Sequence, residues 1–454
     1  MYLGHNKKNK EITIPAADLL THGVILGRTG SGKTGLTVAL IEEAAAEGAS
    51  VIVFDPKGDL TNLALSLASR RDFEDWAEGD AEEAFLAHEE GLESFGLGFA
   101  NVKLWRKFID VNVYAPGKTA GGGKQINVFP GFEVPKEHNN SVKQRAARDV
   151  TAVLQAVGLG ANTFDPAVVY LTEAVRWSWA NNVALPITEW PGVLTSPPDY
   201  LKSFGGMKLE DFFPKRDRIK LARALIGFQH QADKWLTGDP LDVSWMADFA
   251  SKTQIAVLSM RHLSEGDRLF FAGLMMNKIV EYMYETQASK ALKLMVVLDE
   301  ARGYLPPYPA NPPTKAPICT LLAQGRAQGI GMVIGTQNPM DLDYKALSNV
   351  GSWFIGRLRE RDCQRDLLSE LNDRGIDIED VTEMPHRRFL FLDKRGDNSL
   401  LNVRWCYNHL RGPMSGPELQ RLDNWAPTDD EVSFQVSQDE GEVIDGIWEV
   451  GDYD

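Results

Sequence analysis

The chain has 454 residues, 43% of them hydrophobic, enough to bury a sizeable core and too many for a disordered protein. A formal net charge of −15 excludes a surface coated in positive charge, although a locally basic channel in an acidic protein stays open. Cys319, Cys363 and Cys406 lack metal-ligand spacing, the first ten residues hold no apolar signal core and no run is long enough to cross a bilayer, which together imply reduced thiols and a cytoplasmic location.

Taken in chain order, Glu11 to Pro15 alternates weakly and predicts a short hairpin or edge strand. Gly23-Val24-Ile25-Leu26 then reads as a buried strand that stops at Gly27-Arg28-Thr29-Gly30-Ser31-Gly32-Lys33-Thr34, a complete match to G-x-x-x-x-G-K-[ST]. Glycines let such a loop curl so that its amides point at phosphate oxygens, and the helix expected over Leu36 to Ala44 adds its positive end. Lys33 is placed to reach the β- and γ-phosphates and Thr34 to offer a hydroxyl to Mg²⁺, so Gly27 through Thr34, with Gly35, are the expected nucleotide-binding residues.

Ala49 to Leu60 predicts a second buried strand running into a charged, glycine-containing turn, and the right-handed crossover rule makes it parallel to the first, with Asp55 at its carboxyl end beside the phosphate loop. Residues 61 to 105 carry acidic, Ala-rich helical patches that read as solvated faces. Val111 to Gly117 is a further strand and loop; Gly121-Gly122-Gly123 lacks the Gly-Lys-Ser/Thr ending and reads as a hairpin or linker before a short strand over Ile126 to Phe129. Helical periodicity dominates residues 136–245, and the basic run from Lys215 to Arg223 suits a solvated face or a contact with nucleic-acid phosphates or a neighbouring subunit.

Strand patterns return at Thr253 to Met260, Lys293 to Leu298, Gly331 to Gln337 and Gly351 to Arg357, with helices between, and the methionines near Met275 read as core filler. Alternating elements predict an α/β fold of the P-loop NTPase (RecA/ASCE-like) type: a mainly parallel central sheet flanked by helices, plus a helical insertion. The expected divisions are residues 1–135 and 246–415 for the two parts of the core, 136–245 for the insertion and 416–454 for an acidic tail.

Met295-Val296-Val297-Leu298-Asp299-Glu300 has the form of a Walker B strand delivering two carboxylates. Asp299 is the expected Mg²⁺ ligand with Thr34, and Glu300 the group that polarises the attacking water. Gln337, closing the strand expected beside them, is the sensor candidate. Arg326 precedes that strand and is the candidate for an arginine acting on a neighbouring subunit's nucleotide, with Arg302, Arg357 and Arg359 as rivals. Gln337-Asn338-Pro339-Met340-Asp341 supplies no guanine-reading Asn-Lys-x-Asp, and there is no ABC signature, which disfavours a GTPase switch and a transporter subunit.

These segments together resemble the HerA-like branch of the HerA/FtsK superfamily. The resemblance runs through Gly27 to Thr34, Phe54-Asp55-Pro56-Lys57-Gly58-Asp59-Leu60, Tyr114 to Gly117, Leu298 to Pro307 and, most strongly, Gly325 to Pro339 with its continuation to Leu358. It implies a homo-hexamer binding ATP and Mg²⁺ at subunit interfaces and pulling double-stranded DNA through its channel, with Glu300, Gln337 and Arg326 as water activator, sensor and trans-acting arginine. Two features depart from the family: nothing before residue 23 matches the small β-barrel of archaeal HerA proteins, and the helical insertion exceeds what a minimal motor needs. The acidic ending leaves room for a longer protein. Two further readings are a nucleotide-dependent ring scaffold recruiting a nuclease or other effector, and a conjugation- or secretion-type ATPase without membrane insertion of its own.

Overall fold

The computed structural model describes residues 1–117, 122–128, 164–232, 252–359 and 381–428, with short runs between 146 and 157 and between 235 and 247. Eleven strands form one sheet. In chain order they are β1 (Tyr2–His5), β2 (Glu11–Thr13), β3 (Gly23–Leu26), β4 (Ser50–Asp55), β5 (Ile109–Tyr114), β6 (Thr253–Ser259), β7 (Ser289–Leu298), β8 (Gln328–Thr336), β9 (Ser352–Ile355), β10 (Arg388–Leu392) and β11 (Asn398–Val403). They lie side by side in the order β2-β1-β11-β10-β9-β3-β8-β7-β4-β6-β5. From β9 to β5 every pairing is parallel, as the alternating sequence pattern predicts. The remaining strands pair antiparallel at one edge, where β1 and β2 form the expected N-terminal hairpin.

Side-chain alternation sorts the apolar residues onto two faces. Val24, Leu26, Ile52, Phe54, Val296, Leu298, Met332 and Ile334 pack on one. Ile25, Val51, Val53, Met295, Val297 and Val333 pack on the other, under helix α1 (Lys33–Ala46) with its Leu36, Leu40, Ile41 and Ala44. The first face is covered by the helix Glu265–Glu285, whose Met275 and Met276 are fully buried filler.

The helical stretch supplies more cover than a free-standing insertion would. Val168, Leu171, Trp190 and Leu225, from the helices Pro166–Ala180, Trp190–Thr195 and Lys215–Ala232, belong to the same buried cluster as Leu26 and Phe54. The boundary expected at 245/246 falls inside the helix Val243–Ala247. Ile126–Asn127 is a strand, but it pairs with Asp239–Pro240 outside the main sheet, and Phe129 lies outside the described residues. At the other end, the segment expected as a tail begins with the helix Gly416–Asp423, with Leu419 buried, while residues 429–454 lie outside the description. Cys406 is buried and Cys319 half-buried; Cys363 is not among the described residues. Among the described residues no helix is long and apolar enough to cross a membrane.

Candidate nucleotide-binding site

Strand order brings the predicted residues to one rim of the sheet. β8 lies between β3 and β7, with Leu26 opposite Thr336 and Leu298 opposite Ile334. The loop after β3, Gln337 after β8 and Asp299-Glu300 after β7 therefore open onto the same edge, the carboxyl ends where ligands of parallel sheets bind. β4 is parallel to β3, but two strands stand between them, so Asp55 adjoins Asp299 rather than the phosphate loop.

The loop's shape requires its glycines. Gly30 and Gly32 have φ of +75° and +94°, which side-chain-bearing residues rarely adopt. A Cβ on Gly27 would come within 2.5 Å of Ser31 Oγ, and one on Gly32 within 2.9 Å of the Arg387 backbone. From behind, the loop is braced by Gly27 N to Thr336 O (3.2 Å), Arg28 N to Arg357 O (2.9 Å) and Arg387 N to Ser31 O (3.0 Å). Thr29 and Gly30 are exposed, Thr34 is half-buried in the first turn of α1, and the Gly35 carbonyl accepts from Cys406 Sγ at 3.3 Å. Ser31 Oγ is buried with no hydrogen-bond partner. The Lys33 ammonium folds back onto the Gly27 carbonyl; burial lowers its pKa, while Glu300 and Asp299 pull it back up.

Two buried carboxyls sit beneath the site. Burial pushes Asp299 up to about 6, with Glu300 adding to the rise and Lys57 and Lys33 opposing it. Burial, then the neighbouring Asp299, pushes Asp55 up to about 7, even though Gly58 N (2.7 Å) and Leu60 N (3.0 Å) donate to it. Gly335 leaves room for Asp299, since a Cβ there would stand 3.1 Å from Oδ1. Glu300 has φ +52°, a left-handed conformation that a non-glycine residue keeps only when its surroundings hold it. Its Oε2 accepts from Gln337 Nε2 at 2.8 Å and pairs with Lys57, while Gln337 Oε1 accepts from Thr29 Oγ1 at 2.8 Å.

Arg326 stands apart from this cluster. It is exposed in the turn Gly325–Ala327, ahead of the nine-residue β8 and thus at the far end from Gln337. At about 3.3 Å per residue that separation is roughly 30 Å. Arg302 is 77% exposed and 3.9 Å from the Asp341 carboxylate, Arg357 lies behind the loop, and Arg359 is exposed. Sequence reasoning gave Lys57 no role and passed over Arg387 altogether. The signal for Arg387 was the pair of apolar runs around Asp393-Lys394-Arg395-Gly396, a hairpin pattern with Gly396 at φ +91°.

Residues 1–88 match the family model described as the central domain of helicase HerA, a stretch that holds the phosphate loop and the Asp55–Leu60 turn. Over that stretch the chain is similar to the HerA central domain. Asp299, Glu300 and Gln337 lie beyond the matched stretch. No curated protein matches it in sequence. In fold it is similar to VirB4 of Thermoanaerobacter pseudethanolicus, at a TM-score of 0.51 and 13% identity over 89% of this chain and 96% of that one. It is also similar to the plasmid coupling protein TrwB solved with the ATP analogue ADPNP, at a TM-score of 0.54 and 14% identity over 92% and 96% of the two chains. TrwB solved with ADP and Mg²⁺ gives 0.53 and 15% over 88% and 89%. At such identities the likeness is one of fold, that of the α/β P-loop NTPases.

Proposed function

We propose that this chain is a cytoplasmic, Mg²⁺-dependent ATPase motor of the HerA type, working as a homo-hexameric ring on double-stranded DNA. The observation that carries this reading is the bridge from loop to acid: Gln337 links Thr29 of the phosphate loop to Glu300, each contact 2.8 Å long. A strand ending in two idle surface acids has no need of such a link. Lys33 and the loop amides bind the triphosphate, Gln337 orients a water against the γ-phosphorus, and Glu300 accepts that water's proton as the bond to ADP breaks. Thr34 and Asp299 are the residues that would hold Mg²⁺. The buried Asp299, pushed up to about 6, and the partnerless Ser31 Oγ are groups that a bound Mg-nucleotide would satisfy. The ion supplies charge neutralisation at the phosphates. Arg326 is assigned to the nucleotide of a neighbouring copy.

Fold likeness to VirB4 and to a conjugative coupling protein favours a second reading, a conjugation-type ATPase whose membrane anchor comes from a partner. A nuclease or other effector recruited to the ring fits either one. The deciding experiment measures phosphate release with and without duplex DNA, alongside mass determination with nucleotide. A six-copy mass and a rate raised several-fold by DNA are expected. ATP turnover indifferent to DNA would replace the motor with a regulatory scaffold.

A further inference from the structure

The turn Phe54 to Leu60 is part of the family resemblance, yet the reaction above makes no use of it. Its backbone is braced. The fully buried Asp55 carboxylate accepts from the amides of Gly58 and Leu60, and Gly58, at φ +90°, packs so closely on Arg261 and Pro413 that a Cβ would meet both side chains at 3.1 Å. From this turn Lys57 extends to Glu300 and donates to Oε2, the oxygen that also accepts from Gln337 Nε2. Among the described residues no donor reaches Glu300 Oε1. A carboxylate pinned at one oxygen from two sides presents the other in a fixed direction.

The two anchors differ in what else they touch. Gln337 is already tied to Thr29 in the phosphate loop, so any group that engages the loop also disturbs Gln337. Lys57 has no such tie: its turn is fastened to Asp55, Arg261 and Pro413 instead. The left-handed backbone at Glu300 needs a holder that stays in place while Gln337 turns toward the γ-phosphate.

We infer that Lys57 is the positioning residue for Glu300, the anchor that keeps its carboxylate aimed at the attacking water while Gln337 changes partners. This rests on the ATPase reading above. The test compares Lys57→Met, Lys57→Arg, Glu300→Gln and the Lys57→Met/Glu300→Gln double variant in the full chain, by phosphate release at saturating Mg-ATP, binding of a fluorescent ATP analogue and melting temperature. Lys57→Met is expected to lower kcat about 10- to 100-fold with KM and analogue affinity unchanged, as a misaimed catalytic group does. Lys57→Arg restores most of the rate, and the Met change adds nothing in the Glu300→Gln background. A Lys57→Met rate equal to or above that of the parent overturns the inference, as does a raised KM at unchanged kcat or an undiminished effect in the Glu300→Gln background. A parent protein that binds the analogue and releases no phosphate overturns the ATPase reading itself, an outcome distinct from an active parent indifferent to Lys57.

Discussion

Lys33 and Glu300 bring opposite charges into one small volume, and their replacement separates binding from chemistry. Burial already strains the Lys33 ammonium, and the neighbouring Glu300 and Asp299 carboxylates sustain its charge. Lys33→Ala removes the cation that would face the phosphates. A hydrogen bond to a charged group contributes about 1.5–3 kcal/mol, so nucleotide affinity should drop by roughly 10- to 100-fold. Glu300→Gln keeps a side-chain oxygen for the Gln337 and Lys57 donors while losing the basic carboxylate. Its nucleotide affinity should therefore hold, and its kcat should fall by about 10²–10⁴-fold, the usual contribution of a general base. Titration with a fluorescent analogue and single-turnover phosphate release separate the two effects. Equal loss of affinity in both variants would contradict the assigned roles.

At the scale of elements, the antiparallel hairpin β10–β11 and the segment after it clamp α1, the helix that carries the phosphate loop at its start. Arg404, wholly buried, pairs with Glu42 (2.8 Å) and Glu43 (2.9 Å) on α1, donates to the Tyr2 carbonyl at 3.1 Å and stacks on Tyr407. Glu42 is as deeply buried, and Asn408 donates to it from both backbone and side chain. Arg404→Met would strand the Glu42 carboxylate in the interior, at a cost of about 3–5 kcal/mol in equilibrium denaturation. Adding Glu42→Gln should recover part of that loss, and a deficit below about 1 kcal/mol would show that the pair does not fasten the helix. This clamp was not legible in the sequence. The parallel strands announced themselves as apolar runs ending in Gly27 or Asp299, whereas Arg404 follows the half-polar β11 with no motif to mark it. Arg404 and Glu42 sit 362 positions apart in the numbering, and only the closed sheet brings them together.

For the whole molecule, the readable part was the set of strand ends, because motif residues at the carboxyl ends of neighbouring parallel strands must converge. The same reasoning sends Arg326 the other way. A residue just ahead of β8 begins where the strand begins, and Gln337 sits where it ends, so Arg326 is roughly 30 Å from the nucleotide site of its own chain. Under the ring proposal its target is a neighbouring copy's nucleotide, met through a head-to-tail contact that repeats around the ring. Arg326→Ala should accordingly bind nucleotide normally yet lose hydrolysis in the assembled ring, while Lys33→Ala loses its own pocket and keeps its arginine. Mixing the two inactive variants should create interfaces with an intact pocket from one copy and an intact arginine from the next. Random assembly makes about a quarter of interfaces competent. Phosphate release recovering toward that fraction would establish action between copies. A mixture as inactive as its parts would remove Arg326 from the reaction and direct the same experiment to Arg302, exposed on the loop that follows Glu300.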